Sequence, residues 1–454
     1  MKTRQLLLIL SILATYLFGC SAPEEDSGEV IEPEIPPTAD SADALPTPLC
    51  SDPQASFVTD FRVRVPPSLA EPAPRIPFRD PTFGACLVRV TDRKAGPAPG
   101  LKNEYARVGS FNADGSGILV RDTEGETYLY DAASLRQLGR LPLGAEPRWD
   151  AQDPDLIFFN DETRLMAFRV STGATSLVRD FAADLQGSLA AVWTVYEGRP
   201  SLDTQTWGLV AEDEEWTPVA FLVYDRRGDS VTIRDMRGVP GIEDDVDHVT
   251  ISPLGTYLLA SFDRYCEHGT LGDDAHPCGL MVYDRDLRHG RGLLRIIGHY
   301  DTALDAAGRE VIVYQDIDTD HIAMLDLESG VITPLWPIDF SHTPIGFHFS
   351  GLAYRRPGWA LVSTYSGGYP AAYTWMDDQV FALELVADGR VVRLAHTHSQ
   401  VDPDQEHDYW AEPHASVNAD FSRILFTSNW GRSGTEEVDT YMIELPADWI
   451  EQLP

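Results

Sequence analysis

A strand–turn–strand unit recurs along this chain from about residue 100, and the repeat limits the possible folds more than any other feature. Each unit reads as a short strand, a turn holding Asp, Asn or Gly, an apolar strand, a polar turn, and a second apolar strand ending in an acid. One copy runs from Ser110-Phe-Asn-Ala-Asp-Gly to Tyr128-Leu-Tyr-Asp131. Others run from Ile251-Ser-Pro-Leu-Gly to Met281-Val-Tyr-Asp284, from Leu304-Asp-Ala-Ala-Gly to Ala323-Met-Leu-Asp326, and from Val417-Asn-Ala-Asp-Phe to Tyr441-Met-Ile-Glu444. The runs are rich in β-branched and aromatic residues, as strands require. A strand-built period of roughly 35–50 residues is the pattern of propeller blades. The spacing predicts an all-β, seven-bladed propeller with blades over 105–143, 147–180, 188–236, 247–296, 299–336, 346–396 and 412–444. The last blade offers three strands. The unpartnered apolar run at 86–91 supplies the fourth and closes the ring, removing the free sheet edges. Blades bury their faces only against neighbours, so residues 56–454 are expected to form one domain.

The N-terminus reads as an address. Lys2 and Arg4 precede an apolar run, Leu6 to Phe18, which has the character of a signal peptide and is short for a membrane span. It ends in Leu17-Phe18-Gly19-Cys20, which resembles the lipobox of bacterial lipoproteins. That resemblance implies a signal over residues 1–20, lipidation of Cys20 and a membrane partner through the lipid. Ser21 in place of Asp implies an outer-membrane destination. Residues 21–55 carry nine acids and many prolines, too little apolar surface to order, and are expected to be a disordered tether. Cysteine usage agrees with export. With Cys20 bearing lipid, four cysteines remain; Cys266 and Cys278 flank a polar loop and are paired, leaving Cys50 with Cys86.

The chain holds 35 Lys and Arg against 71 Asp and Glu, and the net charge is −36. A field of that sign repels phosphate backbones, so no nucleic-acid partner is expected. A Gly-rich phosphate loop, a Cys-x-x-Cys knuckle and a nucleophile elbow are all missing from the sequence, which argues against a nucleotide-dependent or thiol enzyme.

All twelve histidines lie between His248 and His414. Four of them, His248, His299, His348 and His414, fall where successive blades enter by their innermost strand, beside the channel. Their spacings of 51, 49 and 66 residues mean nothing along the chain but in a ring bring four imidazoles to one pocket. Adjacent positions are expected about 6–10 Å apart, with at least two rings near enough to share an ion. Arg148 takes the corresponding place in blade two. Arg355 and Arg356 are further candidate cations. His396 and His398, two apart, read either as a second metal pair or as an exposed loop. Tyr365, Tyr369, Tyr373 and Trp375 form an aromatic loop suited to stacking on sugar rings or to packing the loop itself.

The eroded turns Ser252-Pro-Leu-Gly, Asn112-Ala-Asp-Gly and Asn418-Ala-Asp-Phe resemble the "Ser-Pro-Asp-Gly" turn of bacterial TolB-type and oligogalacturonate-lyase-type propellers. The lyases carry Gln-x-x-His-Pro-His at the final inner strand as metal ligands. Here the matching run is Trp410-Ala-Glu412-Pro413-His414, with Glu412 in place of the first histidine. The resemblance implies His299, Glu412 and His414 as ligands of manganese, zinc or iron, since imidazole and carboxylate suit these ions. It also implies His248 beside the scissile uronate. As available cations Arg148 and Arg355 are assigned with it to the elimination step, and His348, Arg356, Tyr369, Trp375 and His398 are expected around an acidic oligosaccharide. The lyase likeness implies a uronate lyase of the cell envelope. The TolB likeness implies instead a scaffold that binds protein or glycan without catalysis.

Overall fold

The computed structural model describes residues 48–50, 57–96, 98–242, 246–340, 345–367 and 372–453. Cys20, the signal, most of the tether and Tyr369 lie outside them. Seven antiparallel sheets follow one another along the chain, each wound from its inner strand outward. The inner strands are Leu101–Lys102, Ala145–Trp149, Ala191–Trp193, Val246–Ile251, Tyr300–Leu304, Ile345–Ser350 and Ser416–Val417. Middle strands such as Pro218–Asp225 are buried almost throughout, because both faces meet a neighbouring blade. Outer strands such as Ala174–Asp180 are largely exposed and polar.

Among the described residues an apolar cluster lies at each blade–blade interface and holds the ring together. Between blades five and six, for example, Val313, Phe347, Val362 and Phe381 interlock. Between blades seven and one the cluster joins Leu425 and Met442 to Val88, Ile118 and Tyr130.

The ring closes at blade seven. Its last strand in sequence, Asp439–Glu444, pairs with Cys86–Arg89 in the register Cys86↔Glu444 to Arg89↔Tyr441, and Phe78–Arg79 adds a fifth strand outside. The Cys50–Cys86 disulfide attaches the end of the tether to this strand, and Leu49 is buried beside it. The second disulfide, Cys266–Cys278, closes a loop of blade four. Asp439, fully buried, sits at the seam. It accepts from Thr91 Oγ1 at 2.7 Å and from the Arg93 backbone N–H at 3.0 Å, and it pairs with Arg89 at 2.7 Å and with the Arg93 guanidinium.

Residues 57–79 run as a strap over the outer edges of blades five to seven. Phe61 packs on Trp336 and Trp375, the Arg64 carbonyl meets His396 Nε2 at 2.9 Å, and the Leu69 carbonyl receives the Trp430 indole at 3.0 Å. His398 stacks on Trp430 under the same strap, with ring centroids 4.4 Å apart. Burial lowers both histidines to about 4, so they are neutral in the fold.

Two outcomes follow from these contacts. Asp439→Ala removes the buried carboxylate that Arg89 and Arg93 share, leaving them Glu71, Asp92 and Glu437, and is expected to cost about 1–3 kcal/mol, read as a lowered denaturant midpoint. The strap histidines act through pH. A histidine held at about 4 in the fold and 6.5 when unfolded contributes its full stability above pH 6.5 and loses it progressively down to pH 4. For His396 this amounts to about 3 kcal/mol. Melting temperature is expected to fall over that window, and His396→Gln, which can still donate to the Arg64 carbonyl, is expected to flatten the slope. An unchanged slope in that variant would remove His396 as its cause.

Candidate functional site

The inner strands of blades one and three are broken, and the breaks carry side chains into the axis. In blade one, Leu101–Lys102 pairs with Arg121–Asp122, and pairing resumes only at Phe111↔Ile118. The intervening bulge delivers Asn103, Tyr105 and Arg107. In blade three, pairing lapses after Trp193 and is taken up again where Ser201 N–H meets the Thr206 carbonyl. That break delivers Glu197 and Arg199.

The four registered histidines meet at one mouth of the channel. The ring of His348 lies 4.2 Å from that of His414 and 4.6 Å from that of His299, closer than the expected 6–10 Å. Tyr105 fills the space between them, 5.3 Å from His348 and 5.0 Å from His414, with its hydroxyl 2.8 Å from His299 Nδ1. His248 stands across the mouth. Its Nδ1–H donates to Asp247 at 2.8 Å, and its Nε2 receives Arg107 at 2.6 Å and the Tyr300 hydroxyl at 2.9 Å. Arg107 stacks on both Tyr105 and Tyr300, linking the two halves.

One half has the donor set of a metal centre. Ligand atoms of His348, Glu412 and His414 lie within 4.8 Å of one another. Glu412 Oε2 is 2.9 Å from His348 Nε2 and 3.6 Å from His414 Nε2. Donors bound at about 2.1 Å around a tetrahedral ion stand about 3.4 Å apart, so these separations suit one cation. His348 Nδ1 and His414 Nε2 are buried with no hydrogen-bond partner, which an ion bound at His414 Nε2 would relieve there. His299, expected as a ligand, lies beside this group with its ring 4.6 Å from that of His348 and its Nδ1 on the Tyr105 hydroxyl, and His348 stands among the three converging donors in its place. Burial holds His299 and His348 down at about 3 and His414 well below the imidazole range, the neutral state a ligand needs. Burial raises the Glu412 carboxyl to about 7, against the pull of His299 and a hydrogen bond from Tyr365. His414 has φ 43°, in the left-handed region, and the Asn103 amide holds its carbonyl at 2.7 Å.

The other half gathers Glu197, Asp247 and His248, also within 4.8 Å of one another, but here the Arg107 guanidinium supplies the cation, 3.2 Å from Glu197. Burial and Arg107 lower His248, which is therefore neutral, and Asp247 fixes the proton on Nδ1. Below this level Arg199 plugs the channel, donating to the Thr302 carbonyl and hydroxyl at 2.7 Å and pairing with Asp301 at 3.2 Å.

Several residues singled out in the sequence stand elsewhere. Arg148 is buried with its guanidinium donating to the carbonyls of Pro147, Tyr196 and Gly198, so it braces backbone and does not face a ligand. Arg355 and Arg356 sit in the turn after the blade-six inner strand, at the opposite mouth, where the Arg355 N–H meets the Ala419 carbonyl and Arg356 pairs with Glu451. An inner strand crosses from one mouth to the other, which is why residues a few positions beyond His348 end on the far side. Trp375 packs between Phe61 and Phe381, and His398 under the strap; neither joins the axial cluster. Of the aromatic loop, Tyr365 reaches the site, stacked on His348.

Sequence reading missed Tyr105, Arg107, Glu197, Tyr300 and Tyr409, whose ring lies 5.6 Å from His414. One signal was available. His248 and His414 each stand four residues before the turn residues Ser252 and Asn418, and Arg107 stands five before Asn112. Counting back from the turn therefore finds Arg107 beside His248 and His414, though it does not reach His299, six residues before Asp305.

No protein-family model matches the chain, and no curated protein sequence does. Solved structures do. An oligogalacturonate lyase in complex with manganese is 15% identical, with a TM-score of 0.54 over 82% of this chain and 96% of that one. An oligogalacturonate lyase from Vibrio parahaemolyticus is 12% identical, with a TM-score of 0.57 over 82% of this chain and 97% of its own. At these identities the likeness establishes the fold, a seven-bladed propeller, and leaves the chemistry to be argued from the site.

Proposed function

We propose that this chain is a metal-dependent polysaccharide lyase that cleaves an acidic, uronate-containing oligosaccharide by β-elimination, held at the bacterial outer membrane through lipid on Cys20. The observation that carries the reading is the convergence of His348, Glu412 and His414, with unpartnered buried ring nitrogens, across one channel mouth from a neutral His248. His348, Glu412 and His414 would hold a divalent ion, manganese, iron or zinc, which would lend positive charge to the substrate carboxylate and so help spread the enolate-like charge formed beside it. His248 is the base. Asp247 keeps the proton on Nδ1, and the Nε2 lone pair, which here accepts from Arg107 and the Tyr300 hydroxyl, takes the hydrogen alpha to the carboxylate once bound substrate draws those donors away. That proton passes to Nε2, a carbon–carbon double bond forms, and the bond to the departing glycosidic oxygen breaks, the oxygen taking a proton from water. The Arg199 plug behind the site confines the substrate to the histidine mouth.

A non-catalytic envelope scaffold is the competing reading. It is favoured by the shortage of cations: Arg148, Arg355 and Arg356 do not reach the mouth, where Arg107 faces Glu197, Asp247 and Glu412.

Elemental analysis and an absorbance assay separate the two. The purified protein is expected to carry stoichiometric transition metal and to raise ultraviolet absorbance from the new double bond on a uronate oligosaccharide. His348→Ala and His414→Ala are expected to lower metal affinity by more than the 10- to 100-fold that loss of an outer-shell partner costs. Wild-type protein that takes up no metal and cleaves no uronate when metal is supplied leaves only the scaffold.

A further inference from the structure

The break in blade three is a strained loop held from both sides. Val195 and Tyr196 have φ of 59° and 68°, a conformation that is an outlier for a β-branched residue such as Val195. The buried Glu146 carboxylate, itself on a residue with φ 57°, accepts the backbone N–H groups of Thr194 and Tyr196. Arg148 donates from the other side to the carbonyls of Tyr196, at 2.8 Å, and Gly198, at 2.7 Å. Gly198 permits the close approach, since a Cβ there would lie 1.8 Å from the Val249 carbonyl. Strain held so firmly beside an axial site points to a use for what the loop presents.

It presents Glu197. The side chain is 25% exposed, whereas Arg107, 3.2 Å beneath it, is 3% exposed, so the carboxylate covers the guanidinium. With Asp247 and Glu412 nearby, the mouth shows acids to an approaching ligand and hides its cation. An acidic sugar is repelled by that arrangement until Glu197 moves.

We propose that Arg107 is a carboxylate-binding subsite and that Glu197 is its built-in occupant, which the carboxylate of an acidic sugar displaces. The class of ligand rests on the lyase reading; the subsite does not require turnover. The apparent affinity for a carboxylate is lowered by the fraction of molecules in which Arg107 is uncovered, and removing the Glu197 charge lifts that reduction. Glu197 acts as a specificity-determining residue, admitting ligands whose carboxylate competes for the guanidinium.

The test is calorimetric binding of D-galacturonate, with D-galactose as the neutral control, to the full chain and to Glu197→Gln. Galacturonate is expected to bind the variant at least 10-fold more tightly, with galactose unchanged. Equal or weaker galacturonate binding by a variant with a cooperative melting transition overturns the proposal, as does an equal gain for galactose. Should the variant fail to fold, wild-type crystals soaked in galacturonate decide. The sugar carboxylate on Arg107 with Glu197 turned away supports the proposal, and Glu197 still on Arg107 overturns it. Monomeric galacturonate has no glycosidic leaving group, so this result is independent of elimination. Tight binding without cleavage of any oligosaccharide would sink the lyase reading and leave the subsite standing.

Discussion

The pairing of Cys86–Arg89 with Asp439–Glu444 makes the rest of the molecule possible. Each blade buries its faces on its neighbours, so an open ring would expose the cluster that joins blade seven to blade one. The seam also reaches the axis directly. Thr427 of blade seven donates to Asn103 of blade one at 2.7 Å, and Asn103 in turn holds the His414 carbonyl. Closure of the ring and placement of a candidate ligand are one hydrogen-bonded arrangement. The ion pairs at Asp439 and the Cys50–Cys86 bridge secure that arrangement at its outer edge.

The electrostatics of the mouth run against those of the whole protein. A chain of net charge −36 builds an axial site from imidazoles that burial keeps neutral and from carboxyls whose burial raises them. Neutral histidines beside a carboxylate form a ready set of lone pairs, which is the chemistry of a cation site. The sole guanidinium among the described residues seen to bond an axial histidine, Arg107, is covered by Glu197. Charge at the mouth is thus held in paired form, and the loop that holds it is braced by Glu146 and Arg148. An arginine that sequence position alone suggests as catalytic turns out to maintain the backbone that presents another group.

The strap over blades five to seven uses the same principle of buried neutral groups. His396 and His398 lie under it, and its carbonyls receive donors from His396 and Trp430. These two histidines are spaced for a shared ion on an extended chain. In the fold His398 has φ 54° and stacks on Trp430, so the pair diverges, with ring centroids 6.2 Å apart.

The repeat itself was legible because blade strands impose their own period. Alternating apolar runs and Asp/Gly turns are local requirements of each sheet, and they set the number of blades and put the four histidines on the inner strands, His299 and His414 just before theirs and His248 and His348 within theirs. The seven-bladed architecture therefore follows from residues read in order. The makeup of the site does not. Tyr105, Arg107 and Glu197 come from irregular breaks, and a bulge leaves no periodic trace. Which mouth a side chain reaches depends on how far the strand has run across the ring, and this sent Arg355 and Arg356 to the far side. Whether a cation faces a ligand or a neighbouring carbonyl is decided by contacts some fifty residues away, as Arg148 shows with Tyr196 and Gly198. Sequence determined the ring and the register of its histidines, through short-range strand and turn preferences. Only the tertiary structure decided which of their neighbours share the axis, because that depends on the packing of seven blades around a point that no single blade contains.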